Sequence, residues 1–152
     1  MPNFYGQSQT VAIQSFQDIS AGYGVTFFQT TSSPYVVVPG ILLSFSGVYN
    51  GMKLYIDGSL GINADVGSGA SIVLKVNDNG TLVSIDTSEV QSDIAVDGAP
   101  RLGSITSVYT VAHSGSTGTG TLTVAPYLRR TVGSGNAQIL CPINLRARLA
   151  RD

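Results

Sequence analysis

Apolar and polar residues alternate along most of this chain. The C-terminal stretch "QILCPINLRARLARD" sets Ile139, Cys141, Ile143, Leu145, Ala147 and Leu149 on one face and Asn144, Arg146 and Arg148 on the other. A period of two is what a half-buried β-strand requires, because successive side chains of a strand point to opposite sides. A strand of that length needs an ordered partner along each edge. Pro142, which has no amide hydrogen to give to a ladder, marks a bulge or a sheet edge within it. The runs "GVTFFQT", "YVVV", "ILLSFSGVY", "MKLYI", "SLGINADV", "ASIVLKV", "TLVSID", "SITSVYTVA" and "TGTLTVAPYL" read the same way, so roughly eight to ten strands are expected.

Glycine, asparagine and aspartate fall between these runs, in "YNGM", "IDGS", "NDNGT", "VDGA" and "VGSGN". Asn-Gly and Asp-Gly pairs adopt the positive φ values of tight turns, which makes Asn50-Gly51, Asp57-Gly58 and Asn79-Gly80 expected turns. No stretch of about ten residues keeps a helical spacing with caps; "SFQDISAGYG" comes nearest, and its glycines end it early. Many short antiparallel strands without helices between them mean a sandwich, a jelly roll or a barrel.

The first 24 residues differ from the rest. They are rich in glutamine and serine, with Phe4, Tyr5, Phe16 and Tyr23 scattered among them, and read either as an arm laid over a partner or as a first strand, which "QTVAIQSF" would suit. Residues 25–152 are expected to form one β-sandwich domain. The segment "TSEVQSDIAVDGAPRLGS", residues 87–104, reads as the longest connection and as an exposed contact surface.

Composition narrows the picture. The chain has 152 residues, the size of a single domain, and only 11% are charged, against about 25% in an ordinary soluble domain. Either neighbouring subunits cover part of the surface, since contact cores are poor in charge, or serine, threonine, asparagine and glutamine keep it wetted. With one cysteine, Cys141, and one histidine, His113, there is no internal disulfide and no zinc site. No apolar run approaches the roughly 20 residues of a membrane span. The opening "MPNFYGQSQT" lacks the basic start and apolar centre of a signal peptide, so synthesis and first folding are expected in a cytoplasm.

Charge is uneven. Residues 1–99 carry eight acids against Lys53 and Lys75, and residues 100–152 carry six arginines against Asp152. Five of those arginines are spread through alternating strand sequence. Without a basic cluster set among aromatic platforms they do not signal nucleic acid; they are expected to pair with acids of the first half or of a neighbouring subunit.

Candidate chemistry is sparse. In "HSGSTGTG", Gly115, Gly118 and Gly120 make G-x-x-G-x-G, which is neither a dinucleotide fingerprint nor a phosphate loop, and here a strand leads to a strand rather than to a helix. His113 has no sequence-adjacent nucleophile, and Cys141 sits on an apolar face where a thiol is an inert small hydrophobe. "KVNDNGT" would put Lys75 where a calcium loop needs a carboxylate. The aspartates are dispersed one to a loop or strand end. The expectation is a non-enzyme without catalytic, cofactor-binding or metal residues.

"GTGTLTVAPYLRRTVGSGNAQILCPINLRARLARD" and "YVVVPGILLSFSGVY" carry a resemblance. The first joins a Gly-Thr turn, a strand ending near an arginine pair, a Gly-Ser-Gly turn and a closing alternating strand. Together they resemble phage proteins with a C1q/tumour-necrosis-factor-like jelly roll, although Gly40 directly follows Pro39 and the Gly-x-Tyr comes later, at Gly47 to Tyr49. That resemblance implies an antiparallel jelly-roll sandwich assembled as a homotrimer on the virion. There it would serve as a decoration protein bound to the major capsid protein or as a fibre head bound to a host-surface receptor. Shortness favours decoration, since a fibre adds a shaft. Phe4, Tyr5, Phe16, Arg129, Arg130, Arg146 and Arg148 are the candidate capsid or subunit contacts, with no nucleic-acid or membrane partner expected.

Overall fold

A computed structural model of the chain describes residues 9–19, 22–92 and 94–151. It contains ten strands: β1 (Gln9–Asp18), β2 (Thr26–Thr30), β3 (Val36–Val37), β4 (Leu43–Val48), β5 (Lys53–Ala64), β6 (Gly69–Asp78), β7 (Thr81–Ser92), β8 (Arg101–Thr110), β9 (Gly120–Val132) and β10 (Ala137–Arg151). They form two five-stranded sheets. In the first the order is β1-β10-β5-β8, with β2 also pairing β10; in the second it is β3-β9-β6-β7, with β4 also pairing β9. Each pairing is antiparallel. The chain passes repeatedly between the sheets, which makes an all-β jelly-roll sandwich.

The alternation explains the packing. On β6 the residues Ala70, Ile72, Leu74 and Val76 are fully buried, and Leu54, Ile56, Leu60 and Ile62 of β5 face them from the other sheet with Ile139, Ile143 and Leu145 of β10. Leu43 and Phe45 of β4 and Leu122, Val124 and Leu128 of β9 complete one continuous core. A sandwich holds by this interdigitation of two inner faces, with no crosslink required. β10 has partners along both edges, β1 and β2 on one side and β5 on the other, as its length demands.

Asn79 (φ 50°) and Gly80 (φ 99°) both occupy the left-handed region and close the β6–β7 hairpin, matching the expected Asn-Gly turn. Asp57-Gly58 is different. The expected turn there is mid-strand, because β5 is one continuous strand in which Asp57 lies between Arg146 of β10 and Thr106 of β8. Both neighbours pair through this point, and the interstrand ladder overrides the local preference for a turn. Gly58 is required for space: a Cβ there would run into the Asn144 carbonyl oxygen. The crowding arises because the β10–β5 register shifts between Leu140 and Asn144, a bulge around Pro142.

The 87–104 connection is likewise shorter than expected. β7 continues to Ser92 and β8 starts at Arg101. After a register shift opposite Leu74, the alternating "EVQS" rejoins the ladder, with Val90 across from Ile72. Ser88, whose hydroxyl accepts from the Leu74 amide at 2.8 Å and donates to the Ile85 carbonyl at 2.5 Å, satisfies the backbone at that shift.

Candidate functional site

Strand register divides the candidate arginines between the two outer faces. On the first sheet one row runs Ile13, Arg148, Tyr55, Val108 across β1, β10, β5 and β8, and the next runs Ser15, Arg146, Asp57, Thr106. The Arg148 guanidinium carbon lies 4.4 Å from the Tyr55 ring centroid, and its Nη1 donates to Thr10 Oγ1 at 3.4 Å. Stacked this way, a weakly hydrated guanidinium adds a flat surface rather than a solvated projection. Around it Val11, Ile13 and Val108 are each about half exposed, at 47%, 53% and 50%. Arg146 and Asp57 border a shallow depression of about 250 Å³ beside the β10 bulge.

Arg129 lies on the other side, on the outer face of the second sheet. Its guanidinium carbon is 4.7 Å from the Tyr35 ring centroid, and the Lys75 Nζ is 5.3 Å from the same ring and 4.7 Å from that of Tyr127. The Tyr35 hydroxyl shares a 2.7 Å hydrogen bond with Ser71 and donates to Glu89 Oε2 at 3.0 Å. Ser71 Oγ lies 3.2 Å from the same Glu89 oxygen, so the two hydroxyl hydrogens are shared among three contacts, and Gln91 Nε2 donates to Oε1 at 2.7 Å. Burial pushes the Tyr35 phenol up, reinforced by Glu89 and opposed by the Ser71 hydrogen bond and by Arg129. Nε of Arg129 is buried and has no hydrogen-bond acceptor. Arg130, one step further along β9, gives its backbone amide to the Ser32 carbonyl at 2.8 Å.

Phe16 turns toward the core and meets Phe27 edge-on, with centroids 6.1 Å apart at 81°. Phe4 and Tyr5 lie outside the described residues.

The glycine-rich "HSGSTGTG" stretch is anchored from below by Asp78, a fully buried carboxylate at the end of β6. Its Oδ2 accepts from the Tyr109 hydroxyl at 2.8 Å and from the amides of Ala112 and His113 at 3.0 Å; its Oδ1 accepts from Ser114 Oγ at 2.7 Å. Backbone amides that a phosphate loop would offer to a ligand are thus given to the protein's own carboxylate. Burial by itself would raise the Asp78 carboxyl, but these hydrogen bonds outweigh it and hold it below the usual range. Tyr109 is pushed above the ordinary phenol range by burial and then by the hydrogen bond to, and charge of, Asp78. The His113 side chain is exposed beyond this network. Cys141 is buried at 3% exposure, and burial, with the charge of Asp18 as a lesser contribution, pushes its thiol up and out of reactive range. Among the described residues no three His, Cys, Asp or Glu side chains converge to hold a metal ion, and no helix is long and apolar enough to cross a membrane.

At the end of the sandwich formed by loops 65–68, 94–100 and 133–136, Val66, Ile94, Val96 and Leu102 are exposed. The Gly67 amide donates to the Ala95 carbonyl and the Ala95 amide to that of Ser68, tying two of these loops together. A cleft of about 300 Å³ opens there among Asn63, Asp97, Arg101 and Leu102. Sequence reasoning missed Asp78, Tyr35, Lys75 and Glu89 as organised groups. Their partners lie tens of residues away, Glu89 being 54 positions from Tyr35 and Ser114 being 36 from Asp78, and no local spacing signals such pairs.

No family model matches the chain, and no curated protein matches it. Among solved structures, a chain from the structure of infectious bursal disease virus, Gx strain, superposes with a TM-score of 0.51 at 8% identity, covering 99% of this chain and 36% of that one. A chain from the Gt strain gives 0.44 at 12% identity, over 97% and 36%. The chain therefore spans 36% of the length of the viral chains it matches. At 8% identity the likeness to the Gx-strain chain is one of fold: the two-sheet antiparallel sandwich described above has a counterpart within a virus structure.

Proposed function

We propose that the chain is a structural protein of a virus particle, and within that class a phage capsid decoration protein that acts as a homotrimer on the shell. Made in the host cytoplasm, it would end on the virion surface with the major capsid protein as its partner. The observation that carries the reading is the first-sheet outer face, where half-exposed Val11, Ile13 and Val108 surround the Arg148–Tyr55 stack. Such a face suits subunit contact, with apolar burial of about 25 cal/mol per Å² and a typical partner contribution of about 800 Å². Arg146 beside Asp57 offers both signs of charge for a neighbouring copy. Symmetric repetition on a shell then supplies avidity. The likeness of fold to a chain in a virus structure supports the same class.

The test is the solution mass together with co-sedimentation. A trimer of the 15.8 kDa chain that pellets with assembled shells and raises their heat resistance supports the reading. A monomer that stays in the supernatant overturns it.

A second reading is favoured by the loop end, where exposed Val66, Ile94 and Val96 stand beside the cleft at Asn63, Asp97 and Arg101. There the protein would be a head- or tail-fibre domain that recognises a host-surface glycan or protein. Adsorption to host cells that is lost on Val96→Asp supports it, and absence of adsorption removes it.

A further inference from the structure

The outer face of the second sheet joins two cations, two tyrosines and a set of hydroxyl and amide groups outside the core and away from the first-sheet face assigned to subunit contact. We infer that this face is a binding site for an acidic saccharide, one carrying carboxylate or sulfate groups on a hydroxyl-rich chain.

The argument starts from Arg129. Its guanidinium is spread on the Tyr35 ring at 4.7 Å, and its Nε is buried without an acceptor. Arg129 as a whole is only part-buried, so it is the other N–H groups of the guanidinium, not the covered Nε, that can meet an incoming oxygen. The planar fork of a guanidinium matches the paired oxygens of a carboxylate or sulfate. Lys75 brings a second positive charge against the same Tyr35 ring, at 5.3 Å. Glu89, held by hydrogen bonds from Tyr35, Ser71 and Gln91, offsets one of the two positive charges and leaves the cluster with a net charge of one positive. Those same groups supply donors and acceptors of the kind sugar hydroxyls use.

A saccharide is favoured over an acidic protein segment by what the face lacks. Protein contacts centre on apolar side chains. Here the exposed large hydrophobics of the second sheet, Val37, Leu82 and Val132, sit on β3, at the start of β7 and at the last residue of β9, while Val73 in the middle is 3% exposed beneath its neighbours. The centre is polar and cationic, which suits a hydrated anion. The site lies on the opposite side of the sandwich from the face assigned to subunit contact, so it stands or falls independently of the trimer.

The experiment titrates the full chain with a uronic-acid tetrasaccharide, with a neutral tetrasaccharide and with a hexaglutamate peptide, reading calorimetry and the ¹⁵N–H resonance of Arg129 Nε. The acidic saccharide is expected to bind and to shift that resonance. Arg129→Gln and Lys75→Gln should each weaken binding by about tenfold, the loss of one charge-assisted contact. Arg148→Gln on the first sheet should leave it unchanged, with circular dichroism confirming that all three variants fold. No binding at millimolar saccharide overturns the proposal. Equal weakening by Arg148→Gln, or hexaglutamate binding as tightly as the saccharide, overturns it as well.

Discussion

Ser114 Oγ donates a 2.7 Å hydrogen bond to Oδ1 of Asp78, joining the glycine-rich loop to the end of β6. With the Tyr109 hydroxyl and two backbone amides on the other oxygen, Asp78 fixes the path of the chain as it leaves β8. Replacing it by alanine strands several donors in a buried place, each at a cost of about 1–3 kcal/mol where water cannot reach. Asp78→Ala is expected to destabilise the fold by about 3 kcal/mol, lowering the melting temperature by roughly 6–12 °C. Ser114→Ala, which removes the donor to Oδ1 and leaves the three on Oδ2, should cost less, about 1–2 kcal/mol. Thermal denaturation followed by circular dichroism measures both.

The same network sets the pH limits. The Asp78 carboxyl is held below its ordinary range, so its contribution is present above about pH 4 and is lost as pH falls through the folded value. Tyr109 is raised, so its contribution is present below about pH 10 and declines as pH climbs beyond it. Melting temperature plotted against pH should fall at both ends. Asp78→Asn should flatten the acid limb, and an unchanged acid limb in that variant would assign acid sensitivity to other carboxylates.

Gly58 is a point of close approach in the first sheet. A Cβ at this position would meet the Asn144 carbonyl oxygen and lie 3.1 Å from the Leu145 Cα, both backbone atoms that cannot swing aside. Gly58→Ala should force β5 and β10 apart and cost about 1–3 kcal/mol, the range of overpacking. Gly67→Ala, at φ 84° with open space around it, carries only the left-handed strain, about 1 kcal/mol. Urea unfolding midpoints of the two variants give the comparison.

Ile13 and Val108 test the assembly face. Both are about half exposed, so Ile13→Asp and Val108→Asp should change the melting temperature of the isolated subunit little. Each places an unpaired charge in the proposed contact and should shift the mass measured by light scattering toward 15.8 kDa. Leu74→Ala, a cavity at a fully buried site, should do the reverse: lower subunit stability by about 2–5 kcal/mol without selecting against association.

Sequence alone determined the class of this fold. Period-two alternation is a property of neighbouring residues, so it marks "QILCPINLRARLARD" as a strand with Ile143, Leu145, Ala147 and Leu149 inward, and these are buried in the sandwich. The Asn79-Gly80 turn was legible for the same reason, since positive φ is a preference of the residues themselves. Tertiary structure decided the rest. Asp57-Gly58 has turn chemistry, yet β8 and β10 pair through it, and the gain from two continuous ladders exceeds a local bias. The four arginines at 129, 130, 146 and 148 look alike in sequence. Yet the register of β9 against β6 puts Arg129 on one outer face, and that of β10 against β5 puts Arg146 and Arg148 on the other. Asp78 reads as a turn residue until Tyr109 and Ser114 are brought to it across more than 30 positions. Alternation specifies that a residue points in or out; which residue it then meets depends on strand order and register, and these are fixed only when the two sheets close on a shared core.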